Sequence, residues 1–131
     1  MANAMAILRV ETELPIMMTC ADAAIAKGQC LKLTNPFTVA ATAGANDIFG
    51  GIAAEEKILG DGKTKIAVYR KGIFLLEAGT TGVTVGYPII IEANNEFKNT
   101  GADGSDTGYV WGKCLETAAN GVIFYAEIGT G

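Results

Sequence analysis

The chain contains no histidine, and Ser105 is its only serine. Histidine supplies much of the acid–base catalysis near neutral pH, and a serine nucleophile usually depends on a histidine partner. Ser-His-Asp triads and histidine-ligated metal sites are therefore excluded within this chain. The two absences favour a protein that is not an enzyme, and we expect no catalytic residue, no bound metal and no cofactor.

Cysteine is scarce as well. The chain has Cys20, Cys30 and Cys114, an odd number in which no two form a C-x-x-C pair. This spacing supports neither a zinc ribbon nor thioredoxin chemistry. Each cysteine lies among apolar residues, so we expect three small, buried, free thiols in a protein that assembles in a reducing cytoplasm.

Concentrated charge and long apolar runs are also lacking. The formal net charge is −4, and the charged residues are scattered without a basic stripe, which disfavours binding to nucleic acid. No apolar run approaches the roughly 20 residues that span a bilayer, and the N-terminus lacks the basic start of a signal peptide. We therefore expect no membrane contact and no export.

The mean hydropathy is nevertheless positive. Either apolar surface is buried between subunits, or abundant alanine raises the value.

Short apolar runs separated by glycines make up most of the chain, and residues 60–86 are their centre. Residues 65–69 alternate with a period near two, Arg70-Lys71-Gly72 has the composition of a turn, and residues 73–77 form a second run. Frequent β-branched residues and glycines argue against a helix. The pattern predicts a central β-hairpin around this turn.

The two halves of the chain resemble each other. Residues 28–33 correspond to residues 86–92, and later segments follow at offsets close to 60 residues. This predicts an internal duplication with pseudo-repeats at about residues 28–69 and 86–128. Two copies suit a closed or sandwiched sheet in which each copy buries the apolar face of the other. We therefore predict an all-β fold, a small β-barrel or β-sandwich.

The beginning of the chain does not follow the repeat. We predict that residues 1–24 form an extended N-terminal arm and that residues 25–131 form a single β domain. Pro15 interrupts the apolar alternation of the arm, so a strand here is broken or lies at a sheet edge. The arm either reaches a neighbouring subunit or pairs within its own barrel. Trp111 shares a strand face with Lys113, which indicates a partly exposed or interfacial position.

Three short motifs carry chemistry in other proteins. Asp106-Thr107-Gly108 matches the aspartic-protease triplet, which needs two facing copies, but here it lies in a turn-forming run. Asp103 and Asp106 lack the ligand spacing of a calcium loop. Lys71 has the hairpin position of the modified lysine in biotinyl and lipoyl carrier domains, without their flanking residues. We expect turns at all three, and the protease-like and carrier-like domains remain alternatives.

A resemblance is carried by turns and strands rather than by chemical groups, over roughly residues 25–129. Its motifs are Lys27-Gly28, Gly50-Gly51-Ile52-Ala53, Lys71-Gly72-Ile73-Phe74, Ala78-Gly79, Val83-Thr84-Val85-Gly86, Gly112-Lys113-Cys114-Leu115 and Gly121. Together they resemble small capsid decoration (cement) proteins of tailed bacteriophages, and in particular a small phage family sometimes labelled recombinase-like. The resemblance implies a β-barrel or β-sandwich body, homotrimers at capsid symmetry axes, and an N-terminal arm that grips the major capsid protein.

The function implied by this resemblance is that of a viral structural protein. It would be made in the host cytoplasm, would sit on the outer surface of the capsid, and would stabilise the capsid by binding the major capsid protein. The alternative within the virion is a head-fibre or tail module. The residues that we expect to contact the capsid or another subunit are Ile7, Leu8, Val10, Leu14, Ile16, Met17, Met18 and Trp111.

Overall fold

The computed structural model of the protein describes residues 5–44, 47–100 and 109–129. The residues in these ranges form eleven β-strands and no α-helix. In chain order the strands are β1 (Ile7–Val10), β2 (Ile16–Cys20), β3 (Cys30–Asn35), β4 (Thr38–Ala41), β5 (Phe49–Ala53), β6 (Lys65–Tyr69), β7 (Gly72–Ala78), β8 (Pro88–Ala93), β9 (Glu96–Asn99), β10 (Gly112–Cys114) and β11 (Ile123–Ile128).

Ten of these strands form two closed barrels of five strands each. The first barrel has the order β2-β4-β3-β5-β6, and β6 pairs with β2 to close it. The second has the order β7-β9-β8-β10-β11, and β11 pairs with β7. One pairing in each barrel is parallel, that of β2 with β4 and that of β7 with β9, and the other pairings are antiparallel. The prediction of an all-β fold with an internal pseudo-repeat is confirmed, in its barrel form.

The two barrels also agree in register. Leu33 lies opposite Val39 in the first barrel, and Ile91 lies opposite Phe97 in the second, 58 residues further along. The same offset relates β2 to β7 and β6 to β11. It rises to 61 residues at β5 and β10, because the loop before β10 is longer. Every residue of one barrel strand therefore has a defined counterpart in the other.

Close packing explains one pair of counterparts, Gly51 in β5 and Gly112 in β10. A Cβ atom at Gly51 would lie 2.6 Å from the carbonyl oxygen of Tyr69, and one at Gly112 would collide with the carbonyl oxygen of Glu127. Because the neighbouring strand passes directly over each of these positions, only glycine fits there.

The first strands of the chain belong to different barrels. β1 pairs with β7, with Ile7 opposite Leu75, so it extends the sheet of the second barrel. β2, by contrast, is a strand of the first barrel. The residues described between 5 and 15 thus form an extended segment that leads from the second barrel into the first. The division of the chain at residue 24 remains a prediction about domains, and β2 lies on the arm side of it.

The predicted central hairpin is wrong in its pairing, although both of its strands are present. β6 pairs with β2 and β5, whereas β7 pairs with β1, β9 and β11. Each barrel closes by pairing its last strand with its first, so both edges of β6 are occupied within the first barrel. Arg70 and Lys71 therefore connect two barrels. The guanidinium group of Arg70 donates a hydrogen bond of 2.8 Å to the carbonyl oxygen of Gly50 and lies 4.6 Å from the centroid of the Phe49 ring.

Aromatic packing joins the barrels around Trp111, whose side chain is 0% exposed. Its ring lies 5.0 Å from that of Phe49 in the first barrel and 5.4 Å from that of Phe97 in the second. Its Nε1–H donates a 3.2 Å hydrogen bond to the carbonyl oxygen of Asp47. The expectation of a partly exposed Trp111 is therefore wrong, because the first barrel covers the strand face that the sequence pattern left open.

Polar side chains cross the same contact between the barrels. Gln29 Nε2 donates to Asn94 Oδ1 at 2.7 Å, and the hydroxyl group of Thr42 donates to the same oxygen at 2.9 Å. The backbone N–H of Cys30 donates to Asn95 Oδ1 at 2.8 Å. These bonds satisfy groups that the contact removes from water, so the barrels are held by specific pairing as well as by packing.

The cysteines follow the prediction. Cys20, Cys30 and Cys114 are free and buried. Burial raises the pKa of the Cys30 thiol far above its usual value, so this thiol stays protonated and unreactive.

Candidate functional site

An apolar patch covers the outer face of the second barrel where β1, β7 and β11 lie side by side. Ile7, Leu75 and Tyr125 are direct cross-strand neighbours, and Val10 and Ile73 form the next row, which Glu127 ends on β11. The residues between them on β7 and β11, such as Phe74, point into the core. We call this surface the outer patch, and its members are Ile7, Val10, Ile73, Leu75, Ile123 and Tyr125.

The exposure of the outer patch is unusual for a barrel that is already closed. Ile7, Ile123 and Tyr125 are exposed, although each is adjacent on its strand to a residue that packs against the core, and Val10 is exposed at the end of β1. Polar residues normally alternate with core residues on the outer face of such a strand. Exposed apolar patches of this kind are typical of contact surfaces, so the outer patch is the first candidate for one.

A second apolar surface lies at one end of the first barrel. Ile16, Met18, Leu33, Phe37 and Arg70 line a cavity of about 210 Å³ that opens to solvent. We call it the open end. Met18 forms the buried floor, and Phe37, whose side chain is 68% exposed, forms the rim. Burial lowers the pKa of Arg70. At neutral pH the group still carries its charge, so the open end combines apolar walls with one cation.

The backbone of Phe37 adopts a left-handed conformation with φ of 53°. This conformation is uncommon for any residue other than glycine and is rarer still for a bulky one, at a cost of about 1–3 kcal/mol. Its counterpart in the second barrel is Asn95, with φ of 61°, and asparagine tolerates this region. The turn is therefore the same in both copies, but in the first copy an aromatic ring occupies it and projects outward.

A third apolar surface is the tip of the loop between β5 and β6, where Ile58 and Leu59 are exposed. The loop is held by Lys57, whose buried ammonium group contacts Asp22 Oδ1 at 3.0 Å and Asp61 Oδ1 at 2.9 Å. Lys57 pairs with Ile25 as an isolated bridge, as Ala118 pairs with Val83 in the second barrel. After this bridge, residues 58–64 of the first barrel replace residues 119–122 of the second, so three extra residues form the tip.

The pKa shifts of Asp61, Asp22 and Lys57 all favour the charged form of this ion cluster. Hydrogen bonds from the backbone of Lys63 and from Lys57 lower the pKa of Asp61 to about 2. Hydrogen bonds from the backbone of Gly60 and from Lys57 lower the pKa of Asp22. The bond to Asp61 raises the pKa of Lys57 despite the opposing effect of burial. All three groups are ionised across the physiological range, so the cluster is a fixed clip and not a proton carrier.

The residues expected to make contacts are distributed unevenly over these surfaces. Ile7 and Val10 lie in the outer patch, and Ile16 lies in the open end. Leu14 and Met17 are exposed and belong to neither surface. The remaining three are covered within the chain: Leu8 is half-buried against the second core, Met18 is buried in the first core, and Trp111 is buried between the barrels.

The motifs with possible chemistry do not assemble into a site. Lys71 lies in the connection between the barrels and not at the tip of a hairpin. Asp103 and Asp106 lie outside the described residues. Among the residues that are described, no three cysteine or acidic side chains are grouped so that they could hold a metal ion. Nor do the described residues include a helix with the length and apolar character needed to cross a membrane.

A solved structure shares this architecture. The N base of head fibre gp8.5 of bacteriophage phi29 matches 88% of this chain and 92% of its own, with a TM-score of 0.55 and 15% sequence identity. At this identity the match shows a common fold. The chain matches no protein-family model and no curated protein.

Several exposed residues escaped the sequence analysis. Ile123 and Tyr125 alternate with Phe124 and Ala126, so β11 is apolar on both faces, and periodicity alone does not tell which face is outside. The exposure of Phe37 was predictable, because an aromatic residue that directly follows Pro36 in a turn has no core to enter.

Proposed function

We propose that the protein is a non-enzymatic structural component of a tailed-bacteriophage virion and that it binds the outside of the capsid. The observation that carries the proposal is the shared fold with the base of a phage head fibre over nearly the whole chain. Binding needs a stiff body and accessible apolar surface, and the two closed barrels and the outer patch supply both.

Capsid decoration is the first form of this proposal. Each copy binds the major capsid protein, and binding to the assembled shell alone stabilises that shell by mass action. The outer patch, together with the exposed Leu14 further along the arm, is the surface that we assign to the capsid, because it combines arm residues with the barrel face. We further infer that the protein acts as a homotrimer, as the resemblance of its turns and strands implies.

The base of a head fibre is the second form, and the fold shared with the phi29 head-fibre base favours it. A base would also bind the capsid through its own surface, but it would carry a further projecting part. An electron cryomicroscopy map of decorated capsids separates the two forms. Density that ends at the two barrels is expected for decoration, and a spike that continues beyond them is expected for a fibre base.

The test uses capsids purified from a phage that lacks the gene, mixed with the purified full-length chain. Cosedimentation measures binding, and a calorimetric melt of the capsids measures stabilisation. Deleting residues 1–24 would remove β2 and open the first barrel, so substitutions are the better probe. We expect the triple variant Ile7→Thr, Val10→Thr, Leu14→Ser to bind capsids at least tenfold more weakly. Each substitution removes an apolar side chain whose burial against the capsid contributes about 1 kcal/mol.

Ile58→Thr is the matched control, since it removes an exposed isoleucine from the first barrel instead of the second. It should leave capsid binding unchanged. Equal loss with the control and the triple variant would contradict the assignment to the outer patch. Failure of the wild-type chain to bind capsids at all would refute the proposed function.

A further inference from the structure

One end of each barrel is built from counterpart residues, but the chain covers only one of these ends. In the second barrel Phe74, Leu76, Ile91 and Asn95 are all buried. Their counterparts in the first barrel, 58 residues earlier, are the residues of the open end: Ile16, Met18, Leu33 and Phe37. The open end is thus the uncovered counterpart of a barrel end that the chain buries, with Gly50 at the position that Trp111 occupies in the second barrel.

The surface that covers the second barrel belongs to the first. The backbone of Cys30 and the side chain of Gln29 bond to Asn95, and Tyr69 lies edge-on to Phe74 with ring centroids 5.8 Å apart. Cys30 and Ile52 also pack into the second core. This covering surface contains a polar side chain, two small or apolar residues and an aromatic ring.

The second barrel carries the counterpart of this covering surface too. Tyr87 corresponds to Gln29, Pro88 to Cys30, Lys113 to Ile52 and Glu127 to Tyr69. We call these four residues the tail face. Tyr87 and Lys113 are exposed, and Pro88 and Glu127 are half-buried. The molecule therefore presents one half of the internal interface at its first barrel and the other half at its second.

We propose that the open end of one copy binds the tail face of another copy, so that copies associate head to tail in the way the two barrels associate within the chain. The contact is heterologous, because different surfaces meet, and such contacts close into rings when the rotation between copies permits. The proposal supplies the surface for the homo-oligomer within the proposed function and rests on that part of it. It does not depend on binding to a capsid.

The composition of the two surfaces supports their pairing. Phe37 and Tyr87 are the large exposed aromatic residues of the open end and the tail face, and aromatic side chains dominate the energetics of interfaces. Arg70 lines the open end, and the tail face carries the acidic Glu127 beside the basic Lys113, so Glu127 is the group that would pair with Arg70. The left-handed backbone of Phe37 holds its ring away from its own barrel, where a partner can cover it.

The duplication provides substitutions that keep the fold. Phe37→Asn places in the first barrel the residue that the second barrel uses at the same left-handed position. Tyr87→Gln places in the second barrel the residue that the first barrel uses at the covering position. We expect neither variant to lower the melting temperature, and Phe37→Asn to raise it slightly.

The experiment measures molar mass by light scattering during size-exclusion chromatography of the full-length chain over a range of concentrations. We expect the wild-type protein to form an oligomer of defined mass. Each substitution should weaken association about tenfold or more, since each removes an aromatic side chain that the proposed contact buries. The decisive sample is an equimolar mixture of the variants at a concentration at which each alone is a monomer. Phe37→Asn retains an intact tail face and Tyr87→Gln an intact open end, so the mixture should form dimers.

Three results would overturn the inference. The wild-type chain could remain a monomer at every concentration, both variants could keep the wild-type mass, or the mixture could stay monomeric after each variant alone has dissociated. The second and third results leave capsid binding by the wild-type chain intact, so cosedimentation of the same samples with capsids separates failure of this contact from failure of the proposed function.

Discussion

Trp111 offers the sharpest test of how the two barrels depend on each other. Its side chain is fully buried, lies between Phe49 of the first barrel and Phe97 of the second, and hydrogen-bonds to the carbonyl oxygen of Asp47. Trp111→Ala removes both ring contacts and leaves a cavity in the contact between the barrels. The substitution changes no strand, because Trp111 lies just before β10.

The size of the effect follows from burial. Replacing a buried tryptophan by alanine typically costs about 3–5 kcal/mol, against a total stability of about 5–15 kcal/mol for a protein of ordinary size. Part of this cost is the pair of edge-to-face ring contacts, each worth about 0.5–1.5 kcal/mol beyond area burial. We therefore expect Trp111→Ala to remove a large fraction of the stability and to lower the melting temperature by about 9–25 °C, at about 3–5 °C per kcal/mol for this chain length.

Urea unfolding followed by circular dichroism measures this free energy, and a double-mutant cycle with Phe49→Ala isolates the contact between the barrels. The cycle should show a coupling energy of about 1 kcal/mol. Val85→Ala, which removes an exposed side chain, is the control and should change stability by less than about 0.5 kcal/mol. A cost below about 1 kcal/mol for Trp111→Ala, or a coupling energy near zero, would refute the view that Trp111 joins the barrels.

Three further predictions concern the strand packing, the ion cluster and the outer patch. Gly112→Ala should prevent stable folding, because its Cβ collides with a strand backbone, whereas Gly44→Ala should have little effect since no atom lies within 4 Å of an added Cβ; expression yield and thermal melts compare them. Asp61 has a folded pKa of about 2, below its usual 3.8, so its stabilising effect is complete above about pH 4 and disappears as the pH falls toward 2. Melting temperatures between pH 6 and pH 2 should therefore fall less steeply for Asp61→Asn than for the wild type, and parallel curves would count against the ion cluster. Tyr125→Thr keeps strand propensity and should weaken capsid binding while leaving the melting temperature within a few degrees, as cosedimentation and calorimetry would show.

The sequence predicts local structure well here and pairing poorly. Strand β6 and strand β7 are evident from alternation at residues 65–69 and from the run at residues 73–77, because strand character depends on neighbouring residues. Their partners lie up to 68 positions away in the chain, as Ile7 does opposite Leu75, and the local pattern contains no information on these pairings. The duplication was readable because register and turn positions repeat.

The contact surfaces were only partly predictable, for a related reason. Exposed Ile7, Val10 and Leu14 belong to a segment whose pattern departs from the repeat, and this departure is visible in the sequence. Trp111 was misjudged because the residues that cover it, such as Phe49, come from the other barrel. A face that looks half-polar on one strand can still be buried when a second module packs against it.

The different surroundings of β2 and β7 bear on aggregation. One edge of β7 is shared between β1 and β9, so its backbone groups are paired along that edge. The corresponding edge of β2 pairs with β4 only at Thr19 and Cys20, and its earlier residues have no strand partner among the described residues. Pro15, which has no N–H group, stands at the start of this exposed edge and hinders the addition of a foreign strand. The two barrels thus protect the same vulnerable edge by different means: β1 and β9 cover it in the second barrel, and Pro15 blocks it in the first. Separate molecules can then meet through side chains but not by joining their sheets.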